Sequence, residues 1–402
     1  MKALVIMQGV PHPFKGASQV VYFSYIFELI TAGFEVLTIS CDVIREKHES
    51  SIAECNQAIN NKNFRLLTSE QKSGFTIKRF RISSCLSDTH LIRTHAKEFS
   101  PHVVIAFDLA SAEIVMELDD VPKIVWLGDM LFQSTWYNYL YGFKEDWKTI
   151  RWLPYVIPQY FQWQKHYSRI LRSFNKIIVS SKSSEKALEK LSLKSTFYPY
   201  PWPNRGSLDH DVQRVPADKP TYLFFGNLVG LGSRSSLHFL FEKLYPELKK
   251  LWGDNGFRVI IGGSLNLRDW AEQYISSHPE VKFEGFIDDL LEKMAVCHAV
   301  LVPIDVPVGN RSRILTAISK RALVIAHENA ALGNPSLVDN ETVLLAKDAY
   351  EFADKMRVAF EQKEQCLSII NQAEKMYEDN YKPEIASGFL IDEIKMVVNA
   401  YQ

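Results

Sequence analysis

The chain lacks the features that mark secreted, zinc-binding and membrane-spanning proteins. Its five cysteines are odd in number and widely scattered, and no C-x-x-C pair occurs, so the sequence predicts neither a disulfide framework nor a zinc site. No apolar run approaches the ~20 residues that a membrane-spanning helix needs. The opening apolar run, MKALVIMQG, is too short for a signal peptide. We therefore expect a cytoplasmic protein.

The chain also lacks an excess of charge of either sign. Its 46 Lys and Arg residues nearly balance 47 Asp and Glu residues, which leaves a net charge of −1. A nucleic-acid binder needs a basic excess to neutralise phosphates, so the charge balance argues against this class of protein. No P-loop and no G-x-G-x-x-G fingerprint are present, and no D-x-D stands out as a metal-binding signature. We predict no cofactor and no metal ion.

The sequence does contain a regular alternation of short β-branched runs and longer segments of helical period. This pattern predicts parallel sheets covered by helices, an α/β fold. In the first half we predict a helix at 17–32 and strands at 3–7, 35–40, 76–82, 102–107, 123–127 and 176–181. In the second half we predict strands at 221–226, 258–263, 281–286, 299–304, 322–326 and 342–346.

A chain of 402 residues is too long for one typical core, so two domains are expected. Residues 201–219 are rich in proline and polar side chains, which predicts a linker between domains at 1–200 and 220–382. A final helix is expected at 383–402, where it can pack back on the N-terminal domain. Doubly wound domains of this kind place their ligands at the carboxyl ends of the strands.

The stretch PVGNRSRILTA, at 307–317, places two arginines where a helix dipole disfavours them. The pattern predicts a loop that ends in an N-cap at Asn310, followed by a helix with a buried face. Arg311 and Arg313 then fall in the first turn, where each cation costs on the order of 0.3–1 kcal/mol unless an anion is nearby. Both could point into solvent or pair with an acid such as Asp305. Because the segment follows a predicted strand, the two guanidinium groups also suit a diphosphate site at the sheet edge.

Three further stretches lie at the carboxyl ends of predicted strands. After 221–226, the loop GNLVGLGSRSS could cradle phosphate with its backbone N–H groups and hydroxyls, although a plain turn explains it equally well. Near the start of the chain, Gly16 opens a long helix, where ordinary turn chemistry is the alternative. After 123–127, Asp129 is a candidate base, an acceptor for a substrate hydroxyl, or the N-cap of the next helix.

Taken in order, these pieces resemble the retaining nucleotide-sugar glycosyltransferases of group 1, also called family four, which have the GT-B fold. Over roughly 220–360 the family's order is matched by FFGNL, RVIIGG, VKFEGFIDDLLEKMAVCHAVLVPI, VGNRSRILTAISKRALVIAHENAALG and LLAKDAYEFADKM. The first half matches more loosely, in KGA, AGFEVLTIS, IVWLGDM and FNKIIVSSKSSEKAL. The resemblance implies two Rossmann-like domains that face each other across a cleft and close over the donor. It also implies a transfer reaction that needs no metal ion.

Position by position, the resemblance implies a donor site and an acceptor side. Arg311 and Arg313 occupy the family's paired basic positions and would hold the donor diphosphate as catalytic groups, while Asp129 would border the acceptor. The other donor-binding residues that it implies are Gly16, Ala17, Gly226, Asn227, Ser233, Arg234, Gly285, Phe286, Ile287, Asn310, Ser312 and Thr316.

Three positions depart from the family pattern. Many members carry two glutamates eight positions apart, the second of which contacts the donor ribose, and this chain has Val308 and Thr316 there. Arg321 stands where the family usually has glycine. These changes leave the phosphate argument intact and weaken the arguments for ribose binding and catalysis.

Residues 126–167 hold five of the chain's eight tryptophans, many tyrosines and several basic residues, among them Lys144, Lys148 and Arg151. A packed helical subdomain with an aromatic core is one explanation. A sugar-stacking acceptor site, or a face that rests on the inner membrane near a lipid-linked acceptor, is the other.

Three functions remain open. The first is a glycosyltransferase that moves a sugar from a nucleotide-diphosphate sugar to a glycan, glycolipid or glycoprotein acceptor in surface polysaccharide or glycoconjugate biosynthesis. The second is a catalytically silent GT-B subunit that binds a nucleotide or a partner enzyme, which the missing glutamates favour. The third is another GT-B enzyme, such as a sugar epimerase or a phosphorylase. We adopt the first, in the cytoplasm or at the cytoplasmic face of the membrane.

Overall fold

The chain divides into two compact units. Met1–Pro203 and Tyr381–Gln402 form the N-terminal unit, and Asn204–Asn380 form the C-terminal unit. The computed structural model describes residues 1–42, 49–73, 75–78, 81–83, 86–87, 89–204, 217–263, 267, 269–308 and 311–401. Asn310 and most of the predicted linker lie outside the described residues. None of the described helices combines the length and the apolar character that crossing a membrane requires.

A mostly parallel sheet forms the core of the N-terminal unit. Its strands are β1 (Lys2–Gln8), β2 (Glu35–Asp42), β3 (Phe64–Ser73), β6 (Leu86–Ser87), β7 (Val103–Phe107), β8 (Lys123–Leu127), β9 (Lys176–Val179) and β10 (Thr196–Phe197). They lie in the order β10-β9-β8-β7-β1-β2-β3-β6, and every pair is parallel except β3 with β6. Two short strands, β4 (Thr76–Lys78) and β5 (Arg81–Ser83), form a separate antiparallel pair.

Helices alternate with these strands along the chain. They are α1 (Ala17–Thr31), α2 (Glu49–Ile59), α3 (Thr89–Phe99), α4 (Leu109–Val115), α5 (Leu131–Glu145), α6 (Leu153–Leu171) and α7 (Lys182–Glu189). The central strands β7 and β8 are buried at every residue, as in parallel sheets that are covered on both faces. This burial is the reason that VVIAF and KIVWL are nearly continuous apolar runs instead of alternating ones.

A fully parallel sheet forms the core of the C-terminal unit. Its strands are β11 (Thr221–Gly226), β12 (Arg258–Gly263), β13 (Val281–Gly285), β14 (Ala299–Val302), β15 (Val324–His327) and β16 (Leu344–Ala346). They lie in the order β13-β12-β11-β14-β15-β16. The helices are α8 (Leu231–His238), α9 (Tyr245–Trp252), α10 (Asp269–Ser277), α11 (Leu290–Val296), α12 (Ser312–Ile318), α13 (Glu328–Ala331), α14 (Ala349–Glu361) and α15 (Lys363–Asn380). A π-helical turn at Phe239–Leu244 joins α8 to α9 without a break.

The last helix, α16 (Pro383–Tyr401), belongs to the N-terminal unit and contacts α1. Its buried Glu393 accepts a hydrogen bond from the Tyr198 hydroxyl at 2.5 Å and forms an ion pair with Lys176 of β9 at 2.6 Å. Burial, and then the Glu393 carboxylate, raise the pKa of Tyr198 to about 12, so the hydroxyl stays protonated and donates. These contacts hold α16 against β9 and the segment that follows β10.

Each sheet has one point at which successive strands diverge. In the C-terminal unit the chain runs from β11 through β12 to β13, and then returns to β14 on the other side of β11. In the N-terminal unit β1 and β7 are the corresponding neighbours. Connections that leave adjacent strands in opposite directions open a crevice at the carboxyl ends of those strands. The ends of β11 and β14, and of β1 and β7, are therefore where each unit can bind a ligand.

Most of the predicted strands are present, with ends that differ by at most two residues. The single strand predicted at 76–82 is wrong, because Thr76–Lys78 and Arg81–Ser83 are two strands of an antiparallel pair. Three strands, β3, β6 and β10, are absent from the predicted set. Two of them have only two residues, and the second half of β3 is polar, so none has the apolar pattern of a buried strand.

The aromatic-rich segment at 126–167 is only partly a core. Trp126 and Trp163 are buried, whereas Trp147 and Trp152 are exposed. Helix α5 buries Phe132 alone among its 15 residues, and the 3-10 turn at Trp147–Trp152 buries none. The explanation by a packed aromatic core is therefore wrong for α5 and for this turn.

Arg321 adopts the left-handed backbone conformation, with φ of 57°. It follows the end of α12, where the Ala322 N–H donates to the Ala317 carbonyl oxygen at 2.9 Å and closes the helix. Glycine suits such a position, which explains why arginine stands out there. The guanidinium of Arg321 forms an ion pair with Glu374 and donates to Asn371 at 2.8 Å, and both partners lie on α15.

We expect Arg321→Gly to be more stable than Arg321→Ala. Both variants lose the contacts with α15, but alanine retains a left-handed strain of about 1 kcal/mol that glycine avoids. Urea unfolding of the two variants, followed by tryptophan fluorescence, measures the difference in the free energy of unfolding. An alanine variant at least as stable as the glycine variant would contradict the assigned backbone conformation.

Candidate functional site

Arg313 occupies the switch point of the C-terminal unit. It lies in the first turn of α12, on the connection that follows β14. Its Nη2 donates to the Ser233 hydroxyl of α8 at 2.8 Å, and its guanidinium carbon lies 4.6 Å from the ring centroid of Phe224 in β11. The side chain thus joins the connections after β11 and β14, which are the two stretches singled out for phosphate binding.

Glycine at position 226 is required by this arrangement. Gly226 ends β11 with φ of 137°, and a Cβ atom there would lie 2.3 Å from Nη2 of Arg313. Gly263, which pairs with Gly226 at the end of β12, leaves equally little room, because its Cβ would lie 2.2 Å from the Gly226 carbonyl oxygen. A side chain at either position would displace the guanidinium or the backbone next to it.

Arg313 is a cation without a counter-ion among the described residues. No ion pair there includes it, and its Nη1 atom is buried with no hydrogen-bond partner in the described part of the chain. Burial, and then the positive charge of Arg311, lower the pKa of Arg313 to about 9. At neutral pH the group therefore remains charged. A buried charge with an unmade hydrogen bond favours an anion at this place.

Arg311 is the N-cap residue of α12 and precedes its first turn. The prediction that places both arginines in the first turn is therefore wrong for Arg311, because the helix begins one residue later than the pattern indicates. Asn310, the expected N-cap, lies outside the described residues. Nη2 of Arg311 donates to the carbonyl oxygens of Val306, at 2.9 Å, and of Val308. Its Nη1 lies 3.7 Å from the place of a Cβ on Gly232, so Arg311 borders the start of α8.

The start of α8 brings further predicted residues next to the two arginines. Ser233 and Arg234 are buried in its first turns, and Asn227 is exposed in the loop before it. The Asn227 side chain accepts a hydrogen bond from the Val229 N–H at 3.2 Å, which stabilises this loop. The first N–H groups of a helix have no partner within the helix, so the start of α8 adds donors beside Arg311 and Arg313. Ser312, which opens α12, is half-buried.

Three predicted residues lie at the carboxyl end of β13, two strands away from β11. Gly285 has φ of 69°, and the Phe286 side chain is 76% exposed. Ile287 packs over Gly262 of β12, where a Cβ atom would lie 2.4 Å from its Cδ1. The structure thus places Gly285, Phe286 and Ile287 along the same edge of the sheet as Arg313, with β12 between them.

The two positions that carry glutamate in many members of the family hold no carboxylate here. Val308 is buried, and the Thr316 hydroxyl donates to the Ser312 carbonyl oxygen at 3.0 Å within α12. This bond to the preceding turn engages the hydroxyl with its own helix. Among the described residues, no group of three or more His, Cys, Asp or Glu side chains is arranged to hold a metal ion.

In the N-terminal unit, Gly16 and Ala17 lie on the connection that follows β1. Gly16 is the N-cap of α1 with φ of 74°, and Ala17 is the exposed first residue of that helix. A Cβ atom on Gly16 would lie 2.1 Å from Oε1 of Gln19, so the glycine makes room for that side chain. Both residues border the switch point between β1 and β7.

Asp129 is exposed after β8, and it is not the N-cap of α5, because that position belongs to Met130. Since β8 lies beyond β7 in the sheet, Asp129 is one strand away from the switch point. The carboxylate at the switch point is Asp108, directly after β7, which is absent from the predicted site residues. Its position after the apolar run VVIAF was the available signal, since the same reasoning selected Asp129.

Asp108 sits in an environment that opposes its charge. Burial raises the pKa of Asp108 to about 7, even though hydrogen bonds from Ser111, Ala110 and Gln8 lower it. Its Oδ1 accepts from the Ser111 N–H at 2.9 Å and thereby caps α4. The backbone has φ of 78°, in the left-handed region. Near neutral pH this carboxyl group can gain or lose a proton, as functional carboxylates often do.

Comparison with known proteins agrees with this geometry. Residues 219–362 match the family model described as glycosyl transferases group 1. No curated protein sequence matches the chain. Solved structures with similar folds include the sucrose-phosphate synthase of Thermosynechococcus elongatus, at 12% identity and a TM-score of 0.67 over 99% of both chains. At this identity the likeness establishes the fold alone.

Two further structures share the fold over nearly the whole chain. HepE of Anabaena, in complex with UDP-glucose, is 12% identical with a TM-score of 0.66, over 98% of this chain and 100% of that one. TarM of S. aureus, in a complex that contains UDP, is 9% identical with a TM-score of 0.69, over 99% and 100%. The two doubly wound units therefore form a GT-B fold. Within this fold, residues 219–362 match the glycosyl transferase group 1 family, which supports a transferase enzyme.

The raised pKa of Asp108 predicts a stability that depends on pH. The folded state binds the Asp108 proton more tightly than the unfolded state, so this contribution to stability is lost as pH rises through about 7. Asp108→Asn stays neutral and can still accept from the Ser111 N–H. We expect the stability of the native chain relative to Asp108→Asn to fall between about pH 5 and pH 7, by at most about 1.4 kcal/mol per pH unit, and to level off at higher pH.

Urea unfolding at four pH values measures this difference. Asp129→Asn is the matched control, because it removes an exposed carboxylate from the end of the neighbouring strand. A native chain and an Asp108→Asn variant with parallel pH profiles would contradict the assigned environment of Asp108.

Proposed function

We propose that the chain transfers a sugar from a nucleotide-diphosphate sugar to a glycan, glycolipid or glycoprotein acceptor in surface polysaccharide or glycoconjugate biosynthesis. The observation that carries this proposal is the buried Nη1 of Arg313 at the end of β11 and β14, which has no hydrogen-bond partner among the described residues. A donor diphosphate there would complete its hydrogen bonds and balance its charge.

Catalysis would come from stabilising the leaving nucleoside diphosphate. When the bond to the sugar breaks, negative charge develops on the diphosphate, and Arg313 and Arg311 are already positioned beside it. The Ser233 hydroxyl fixes one edge of the Arg313 guanidinium at 2.8 Å, so little reorganisation is needed during the reaction. Because two cations supply the positive charge, we propose a reaction without a metal ion or another cofactor.

The donor nucleotide is the next step of the proposal. HepE is solved with UDP-glucose and TarM with UDP, which makes UDP and UDP-glucose the first probes for this chain. The exposed Phe286 and the neighbouring Gly285 and Ile287 would border the base, along the same sheet edge as Arg313. Retention of configuration is proposed from the resemblance to the family.

The acceptor side is proposed to involve the N-terminal unit. Asp108 follows β7 and Asp129 follows β8, so both lie at the carboxyl edge of that sheet. We assign Asp129 to the border of the acceptor site, and Asp108 to an acceptor hydroxyl because its carboxyl group can take up a proton near neutral pH.

A catalytically silent nucleotide-binding subunit is the second candidate. It is favoured by Val308, which replaces a glutamate and is buried, and by Thr316, whose hydroxyl is bonded to its own helix. A silent subunit would still bind UDP through Arg313, but would not turn over a UDP-sugar. Turnover and binding together therefore distinguish the two candidates.

Arg313→Ala is expected to lower the turnover of UDP-glucose by roughly 100-fold or more, the usual cost of one lost group in such a site. Arg313→Lys keeps a positive charge but loses the planar guanidinium fork, so its turnover should lie between those of the native chain and Arg313→Ala. Release of UDP measures turnover, and calorimetry measures UDP binding. Arg258→Ala is the matched control, since Arg258 is exposed at the opposite end of β12.

Three results would separate the candidates. Turnover that is lost in Arg313→Ala and retained in Arg258→Ala supports the transferase. UDP binding without turnover of UDP-, GDP- or dTDP-sugars supports the silent subunit. Unaltered UDP binding in Arg313→Ala contradicts the site itself.

Gly226→Ala should weaken UDP binding at least tenfold, because its Cβ would occupy the space of the Arg313 guanidinium. Gly253→Ala is the matched control. Gly253 also has positive φ, of 69°, but a Cβ there meets no atom within 4 Å. Both variants should lose about 1 kcal/mol of stability from backbone strain, and only Gly226→Ala should lose affinity by calorimetry. Equal affinities would show that Arg313 does not hold the ligand.

A further inference from the structure

The helical hairpin of α5 and α6 exposes an unusual number of large apolar side chains. The two helices pack against each other and are joined by the 3-10 turn at Trp147–Trp152. We call the exposed residues the hairpin tip, and they are Leu140, Phe143, Trp147, Ile150, Trp152, Ile157 and Phe161. Trp147 is 70% exposed and Phe161 is 61% exposed.

Most of these side chains lie near the connecting turn of the hairpin, and the others continue along α6. Leu140 and Phe143 lie in the last turns of α5, and the tryptophans lie in the connecting turn. On α6, Ile157, Phe161 and Lys165 are spaced by four residues and therefore share one face of the helix. An apolar stripe that ends in a basic residue thus continues from the turn along α6.

Basic side chains surround the tip. Between Leu131 and His166 the sequence has four basic and two acidic residues, a net charge of +2 in a chain whose net charge is −1. Neither Lys148 nor Arg151 forms an ion pair with any residue that the structure describes. The Arg151 guanidinium lies 5.6 Å from the ring centroid of Trp152, so positive charge and aromatic surface are presented together.

We propose that the hairpin tip docks on the surface of an anionic lipid bilayer. Tryptophan favours the boundary between headgroups and acyl chains, because its ring is apolar and its N–H is polar. Each lysine or arginine beside it raises the affinity for the membrane by up to about tenfold, through attraction to anionic headgroups. Neither contribution alone gives stable attachment, but the tip carries both.

The mixture of residues favours a membrane over a protein partner. Cores of protein interfaces are depleted of charged residues, and of lysine in particular. At the tip Lys144, Lys148 and Arg151 alternate with the exposed apolar residues. Lysine side chains can extend towards headgroups while their stems lie along the apolar layer, so the same alternation suits a bilayer surface.

Sedimentation of the full chain with lipid vesicles tests the proposal. We expect binding to vesicles of phosphatidylglycerol and phosphatidylcholine, and at least tenfold weaker binding to phosphatidylcholine alone. Raising the salt concentration should weaken binding to the anionic vesicles. The assay needs no donor, so its outcome is independent of the proposed transfer reaction.

Two pairs of substitutions separate the contributions. Trp147→Ser with Trp152→Ser should lower vesicle affinity at least tenfold, and Lys148→Gln with Arg151→Gln should remove most of the salt dependence. Because these side chains are exposed, the thermal midpoint and UDP binding should be unchanged. Tyr350→Ser is the matched control, since Tyr350 is 74% exposed in the C-terminal unit.

Two outcomes would overturn the proposal. One is that the full chain does not bind vesicles. This outcome includes a chain that self-associates through the hairpin tip and leaves the vesicles unbound. The other is equal vesicle affinity of the native chain and the double tryptophan variant.

Discussion

The charge of Arg313 is the constraint on which the C-terminal site depends. Its guanidinium lies between two connections and beside a second cation, Arg311, with its Nη1 atom buried. Stacking on Phe224 and a hydrogen bond to Ser233 hold the group in place, but neither neutralises it. Gly226 must lack a side chain for the guanidinium to fit. A bound diphosphate would be attracted by this uncompensated charge. The stabilisation would be greatest when the charge on the diphosphate is largest, as the sugar departs.

The separate parts of this site could be predicted from the sequence, but their contacts could not. The patterns of TYLFFG and AVLVPI predict parallel strands, and their carboxyl ends mark Gly226, Arg311 and Arg313 as neighbours of a ligand. That β14 lies beside β11, and not beside β13, which precedes it in the chain, depends on the order of strands. Periodicity carries no information on that order. The stacking of Arg313 on Phe224, across 89 positions of sequence, therefore appears only in the structure.

The failures of prediction also have physical causes. Helix α5 has aromatic residues on two opposite faces, so its pattern cannot separate a buried face from an exposed one, and only Phe132 is buried. The left-handed conformation of Arg321 could not be predicted from the sequence, because glycine and not arginine is the residue that indicates such a position. The ion pair with Glu374 on α15 compensates there. Such long-range contacts are the information that a single sequence does not contain.

Each of the two units places an ionisable group at the same topological position. The two groups differ in whether they can lose their charge near neutral pH. Asp108 follows β7, beside β1, much as Arg313 follows β14, beside β11. Burial disfavours the charge of both groups. A carboxyl group with pKa of about 7 can escape that penalty near neutral pH by taking up a proton. Arg313, with pKa of about 9, still carries its charge at that pH. Of the two, only the arginine must be matched by an external ion, so the demand for an anionic ligand falls on the C-terminal unit.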